Sequence, residues 1–192
     1  MKLRLVAGIV SAALLSACGI NSVPTAEENA KAKWAEVQNQ YQRRADLIPN
    51  LVSTVKAAGA QEKAILVEVT QARASANQVQ VSGDQLTDPA RVQAFERAQA
   101  GVTLSLQRLQ EAYPELRSQG NYATLMTQLE GTENRIGIAR RDYNEAVQGY
   151  NTTIRTFPDA IGAKIIHGAK PLVPFQATTP GADTAPKVDF GT

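Results

Sequence analysis

"RRADLIPNLVSTVK", residues 43–56, decides how the rest of the chain is read. Ile48, Leu51 and Val55 keep the three- and four-residue steps of a helix face, yet a proline and an arginine sit among them. Continuing those steps outward gives Trp34, Val37, Tyr41, Arg44, Ile48, Leu51, Val55, Ala58, Glu62, Ile65, Val69, Ala72 and Ala76. This is a heptad seam with two charged interruptions. Pro49 removes one backbone donor and crowds the carbonyl of Ala45, a cost of about 3 kcal/mol in a helix interior. The phase nevertheless survives from Tyr41 to Val55. A kinked but continuous helix from Ala26 to Asn77 is therefore the favoured reading, and a new helix starting near Pro49 is the alternative. At 1.5 Å per residue the continuous form would reach about 80 Å.

Two further seams follow. Val92, Phe95, Gln99, Val102, Leu106, Leu109 and Tyr113 form the shorter one, opened by Asp88 as cap and Pro89 at the first helical position. Tyr122, Met126, Leu129, Glu133, Ile136, Arg140, Tyr143, Val147, Tyr150, Ile154 and Phe157 form the longer one, which Pro158 ends. Upstream, "TAEE" offers Thr25 and Glu28 as a capping box for the first helix. No stretch alternates with period two, so no sheet is expected. The fold class is all-α: an elongated antiparallel up-and-down bundle of three long helices, with a short C-terminal helix and a flexible tail. The expected divisions are a signal peptide at 1–17, a tether at 18–24, the bundle at 25–165 and the tail at 166–192.

Arg44, Glu62, Glu133 and Arg140 stand on seams where apolar residues belong. A lone buried charge costs several kcal/mol, so each should be paired or at an edge. If the third helix lies beside the first, Arg44 with Glu133 is the expected cross-pair. The competing reading lets these long side chains snorkel out of a thin bundle.

The N-terminus carries Lys2 and Arg4, an apolar run from Leu5 to Leu15, then Ser16, Ala17 and Cys18. This is the pattern of an export signal. The run is shorter than the ~20 residues of a spanning helix. "LSAC" also resembles the bacterial lipobox, in which the cysteine receives a diacylglyceryl group and becomes the new N-terminus. Cys18 is the chain's single cysteine, which excludes an intramolecular disulfide and a thiolate metal cluster. Loss of residues 1–17 would remove Lys2 and Arg4 and leave basic and acidic side chains equal in number. That neutrality gives no footprint for nucleic acid.

Chemistry has few candidates. The only histidine, His167, lies in a Gly- and Lys-bearing segment after the bundle, so nucleophilic chemistry based on His or Cys lacks partners. Glu68, Glu130 and Glu133 could be grouped as a carboxylate site, but the Glu-x-x-His motif of di-iron bundles is absent. No catalysis, metal or cofactor is expected; an enzyme or enzyme subunit using buried carboxylates is the alternative. "NTT" at Asn151 fits a glycosylation sequon that means little in a bacterium. For binding, Val52 and Leu66 flank the first seam, and a partner helix could fill a groove beside it unless the third helix covers it. Val188 and Phe190 in the tail could dock on the bundle or elsewhere.

"QRRADLIPNLVSTVK", "EKAILVEVTQARA", "AYPEL", "LEGTENRIGIARRDYNEAVQGYNTTIRTFP" and "APKVDF" closely resemble the LemA family from Trp34 to Phe190. Pro49, Asn50, Glu133, Arg135, Arg140, Tyr143, Asn144 and Pro158 carry the resemblance. It implies a membrane-attached bacterial protein built as an elongated helical bundle, and it supplies no mechanism. Many relatives keep an N-terminal membrane helix where this chain has "LSAC", so a lipid anchor on Cys18 is expected, with an uncleaved inner-membrane anchor as the alternative. Gly19 after the cysteine favours outer-membrane sorting in a two-membrane organism. Relatives are often encoded beside membrane metalloproteases or TPM-domain proteins, which implies such a partner in envelope assembly or quality control. Self-association along the rod is equally open.

Overall fold

The structure, a computed structural model, describes residues 18–59 and 62–176. It contains α1 (Cys18–Ala57), α2 (Lys63–Gln78), α3 (Pro89–Ala112), α4 (Gly120–Thr153) and the single turn α5 (Asp159–Gly162), which runs into a π-turn at Ala163–His167. No strand occurs among the described residues. The all-α class stands, with a different division of helices. The signal segment 1–17 and the terminal "APKVDF", with Val188 and Phe190, lie outside the described residues.

α1 runs through Pro49 without interruption, as the unbroken phase requires. The carbonyl of Ala45, which loses its normal i+4 donor to the proline, instead accepts from Arg73 Nε at 2.7 Å. An α2 side chain thus fills the gap that Pro49 opens in α1. The expected long first helix instead ends at Ala57. Gly59, at φ +86°, takes the left-handed conformation that closes helices, and its amide donates to the Lys56 carbonyl at 3.1 Å. α2 then folds back beside α1, so the seam from Ile65 to Ala76 belongs to a separate helix. At its N-terminus α1 extends further than expected. Residues 18–24, read as a tether, are helical, and Thr25 is an interior residue whose hydroxyl donates to the Asn21 carbonyl. The capping box at Thr25–Glu28 is therefore not formed. By contrast, Asp88 caps α3 by accepting from the Ala90 amide at 2.9 Å, with Pro89 in the first turn.

α1 and α4 pack along each other in opposite directions: Trp34 meets Tyr143, and further along α1 Ile48 and Leu51 share a cluster with Met126 and Leu129. Two apolar clusters result. The first joins Trp34, Val37 and Tyr41 to Phe95, Ile136, Tyr143 and Val147, and includes Leu86 from the α2–α3 connection and Leu172 and Phe175 from the C-terminal segment. The second joins Ile48, Leu51 and Val55 to Leu66, Val69, Leu106, Leu109, Tyr122 and Leu129. Val52 and Leu66 are buried in it, so of the two readings left open for the surface beside the first seam, these side chains follow the one in which the chain covers it itself.

α4 ends at Thr153 rather than at Pro158, and Phe157 is 74% exposed, not part of a seam. The Phe157–Pro158 peptide is cis. The seam of α4 also shifts by one residue in two places: Thr132 and Ala139 are buried where the spacing had put Glu133 and Arg140. The two charges therefore sit at the margin of the packed face. In the segment 166–176, expected as flexible tail, the chain turns at Gly168 (φ +56°) and residues 172–176 lie against the bundle.

Candidate functional site

Among the described residues, the polar side chains that tie the elements together at depth form two neighbouring groups. The first is centred on Arg44, 1% exposed, between the two apolar clusters. Its Nη1 donates to Glu133 Oε1 at 2.6 Å and to Thr103 Oγ1 at 2.9 Å; its Nη2 donates to Gln99 Oε1 at 2.6 Å and to the Gln99 carbonyl at 3.1 Å. The Tyr41 ring lies 5.0 Å from the guanidinium carbon. Every acceptor comes from α3 or α4, so one α1 side chain ties three helices at one level. Burial of so large a cation is tolerable because its planar fork is matched by fixed acceptors and one carboxylate. Glu133 reaches solvent at a groove of about 430 Å³ between α3 and α4, lined by Thr103, Leu106, Gln110, Met126 and Glu130.

The second group binds the C-terminal strap, residues 172–176. Asn144 donates to the Phe175 carbonyl at 3.1 Å and accepts the Phe175 amide at 2.8 Å. Two helical turns further on, Asn151 does the same for Leu172, at 2.8 and 2.9 Å. Tyr143 donates its hydroxyl to the Val173 carbonyl at 2.9 Å, and the Val173 amide reaches the Leu86 carbonyl at 2.9 Å. Glu96 accepts the Gln176 amide at 3.0 Å, while Arg140 donates to the Gln176 carbonyl at 3.0 Å, pairs with Glu96 at 3.5 Å, and covers the Phe175 ring at 4.6 Å. Pro171 and Pro174 have no amide to satisfy. An extended segment is thus held by helix side chains that reproduce the pairing a neighbouring strand would give. Phe175 itself enters a cage of Trp34 and Tyr143, with ring centroids 5.4 Å away in each case.

Burial pushes the Tyr143 hydroxyl well above its ordinary pKa, and the Glu96 carboxylate pushes the same way. Burial likewise raises Tyr41, against the opposing pull of Arg140 and Arg44. Both phenols stay protonated: Tyr143 serves as a donor to Val173, and Tyr41 packs its ring against Phe95 and the Arg44 guanidinium.

Of the residues singled out in the sequence, Arg44 and Glu133 meet as a pair, while Arg140, Tyr143 and Asn144 meet on the strap. Pro49 is exposed inside α1, and the carbonyl of the exposed Asn50 accepts from the Thr54 hydroxyl at 2.9 Å. Glu62 is not a seam residue: it is exposed, just before α2, and its backbone amide and carbonyl both meet the Tyr113 hydroxyl at 3.2 Å. Cys18 is the first residue of α1. Sequence reasoning missed Arg73, Glu96 and Thr103, and it gave Gln99 only a seam position and Asn151 only a sequon. Asn144 and Asn151 are seven apart in a helix, and asparagine disfavours helix interiors; that anomaly was the available signal.

Among the described residues no three His, Cys, Asp or Glu side chains are grouped to hold a metal ion. Glu96 and Glu133 each already answer an arginine. Also among the described residues, no helix is long and apolar enough to cross a membrane.

These features define a class: a helical bundle pinned by one buried arginine layer and closed by its own C-terminal strap. The LemA family model matches residues 33–190, and the chain belongs to that family. It is also similar to the magnetosome protein MamQ 2 of Paramagnetospirillum magneticum, 29% identical over 157 residues, and to the magnetosome protein MamQ of Magnetospirillum gryphiswaldense, 28% identical over the same length. Each match covers 72% of this chain and 58% of the relative, so the chain matches little more than half the length of these curated relatives.

Proposed function

We propose that this chain is a membrane-attached, non-catalytic scaffold or adaptor of the bacterial cell envelope. The observation that carries this reading is how the motif side chains are used. Arg44, Glu133, Arg140, Tyr143 and Asn144 all engage this chain's own backbone or side chains. Groups engaged in this way position helices and a strap. The product is a stiff body, with α1 alone about 60 Å long at 1.5 Å per residue. Relatives named as magnetosome proteins fit a structural part in a bacterial assembly.

In this reading residues 1–17 are an export signal, Cys18 carries the lipid, and the bundle faces the extracytoplasmic side, at the outer membrane in a two-membrane organism. The partner is a membrane protein, with a metalloprotease or a TPM-domain protein as the first candidates. Photo-crosslinking in living cells from exposed positions along α2 and α3, followed by identification of the captured protein, tests the role. A specific membrane partner at defined positions supports it. A chain that captures nothing specific and turns over a substrate as a purified protein contradicts it.

A further inference from the structure

The segment after α4 leaves four large apolar side chains in solvent: Phe157 at 74%, Ile161 at 54%, Ile165 at 77% and Ile166 at 58% exposure. They are not scattered. Ile161 and Ile165 are four residues apart through α5 and the π-turn and so share one face, Phe157 stands just before α5, and Gly162 and Ala163 between the two isoleucines are buried against the bundle. Arg155, Lys164 and Lys170 are exposed neighbours of these residues in the sequence, and Asp159 is the one acid in the same stretch. That acid is turned inward and accepts from Ser22 Oγ at 2.6 Å.

The Ser22–Asp159 bond also fixes where the patch lies. Ser22 is one helical turn from Cys18, so the patch sits at the Cys18 end of α1. We propose that Phe157, Ile161, Ile165 and Ile166 form a bilayer-docking face that enters the headgroup region beside the anchor, with Arg155, Lys164 and Lys170 resting on anionic headgroups. This rests on the reading that the chain is attached to a membrane at the Cys18 end. An apolar face with a basic rim is the composition of an interfacial segment. Two contacts, lipid at Cys18 and this face, would set the rod's angle to the membrane. One anchor alone leaves the body free to swivel.

The test uses the full, acylated chain in vesicles of phosphatidylethanolamine and phosphatidylglycerol with brominated acyl chains, which quench nearby tryptophan. The sole native tryptophan, Trp34, is buried and sets the background. Ile165→Trp is compared with Val67→Trp, an exposed site on α2 at the far end of the bundle. The expected result is quenching at Ile165→Trp at least twice that at Val67→Trp, falling when Lys164→Glu and Lys170→Glu are added. Equal quenching at both sites in chains that float with the vesicles overturns the docking face and leaves attachment intact. So does an unquenched Ile165→Trp that crosslinks to a second copy. A chain that does not float at all overturns the attachment reading and the docking face with it.

Discussion

Arg44 donates to Glu133 at 2.6 Å across 89 residues of sequence, at the level where the two apolar clusters of the bundle meet. The pair fixes register. Sliding α4 along α1 by one turn would leave a 1%-exposed guanidinium without its carboxylate, a loss no apolar contact offsets.

Because both ends of this pair depend on each other, their losses should not add. Glu133→Gln is expected to cost about 2 kcal/mol, less than for a fully buried pair because Glu133 reaches solvent. In that background Arg44→Gln should cost at least about 1 kcal/mol less than it does alone. Denaturant unfolding of the four chains of the cycle measures this, and strictly additive losses would reject the coupling.

Pro49 and Arg73 make a second coupled pair. Arg73→Met removes the donor to the Ala45 carbonyl and is expected to destabilise by about 1 kcal/mol. With Pro49→Ala the residue 49 amide can reach that carbonyl itself, so Arg73→Met should then cost markedly less. Thermal melts of the single and double variants decide it.

The strap should be released piecemeal. Asn144→Ala and Asn151→Ala each strip an amide and a carbonyl of their partner, at about 1–3 kcal/mol. The expected sign is faster hydrogen exchange at Leu172, Val173 and Phe175, with α3 exchange unchanged. Uniform acceleration across the bundle would mean that the strap is not a separate unit.

Alkaline pH should loosen the first cluster. Tyr143 and Tyr41 have folded-state pKa values raised by burial above the unfolded value. Their contribution is therefore intact below pH about 10 and is lost as pH rises above it toward the folded-state values. Tyr143→Phe should lower stability at pH 7 by about 1 kcal/mol through the lost bond to Val173, yet flatten the decline above pH 10. An unchanged alkaline slope would show that Tyr143 does not titrate with unfolding.

Much of this architecture was legible in residue spacing. The continuity of α1 through Pro49, the Asp88 cap and the Arg44–Glu133 pair follow from phase and from the cost of a lone buried charge. The break after Ala57 was also written in the chain, since Gly59 follows Lys56 as helix-ending glycines do; the heptad count ran across it because α2 carries a seam of its own. The strap was not legible. Its holding interactions are made to backbone atoms, which no side-chain pattern in "LVPFQ" announces, and a proline- and glycine-bearing segment reads as flexible until its partners are known. The exposed face at Phe157 to Ile166 was absorbed into a seam and a short apolar turn, because periodicity alone does not tell which side meets the bundle.

Attachment at the Cys18 end underlies both the scaffold role and the docking face, and the intact mass of the chain isolated from bacterial membranes tests it most directly. The account predicts a protein that begins at Cys18 and carries the added mass of a diacylglyceryl group, and that loses both processing and acyl mass in Cys18→Ser. A mature chain with no acyl mass would contradict it.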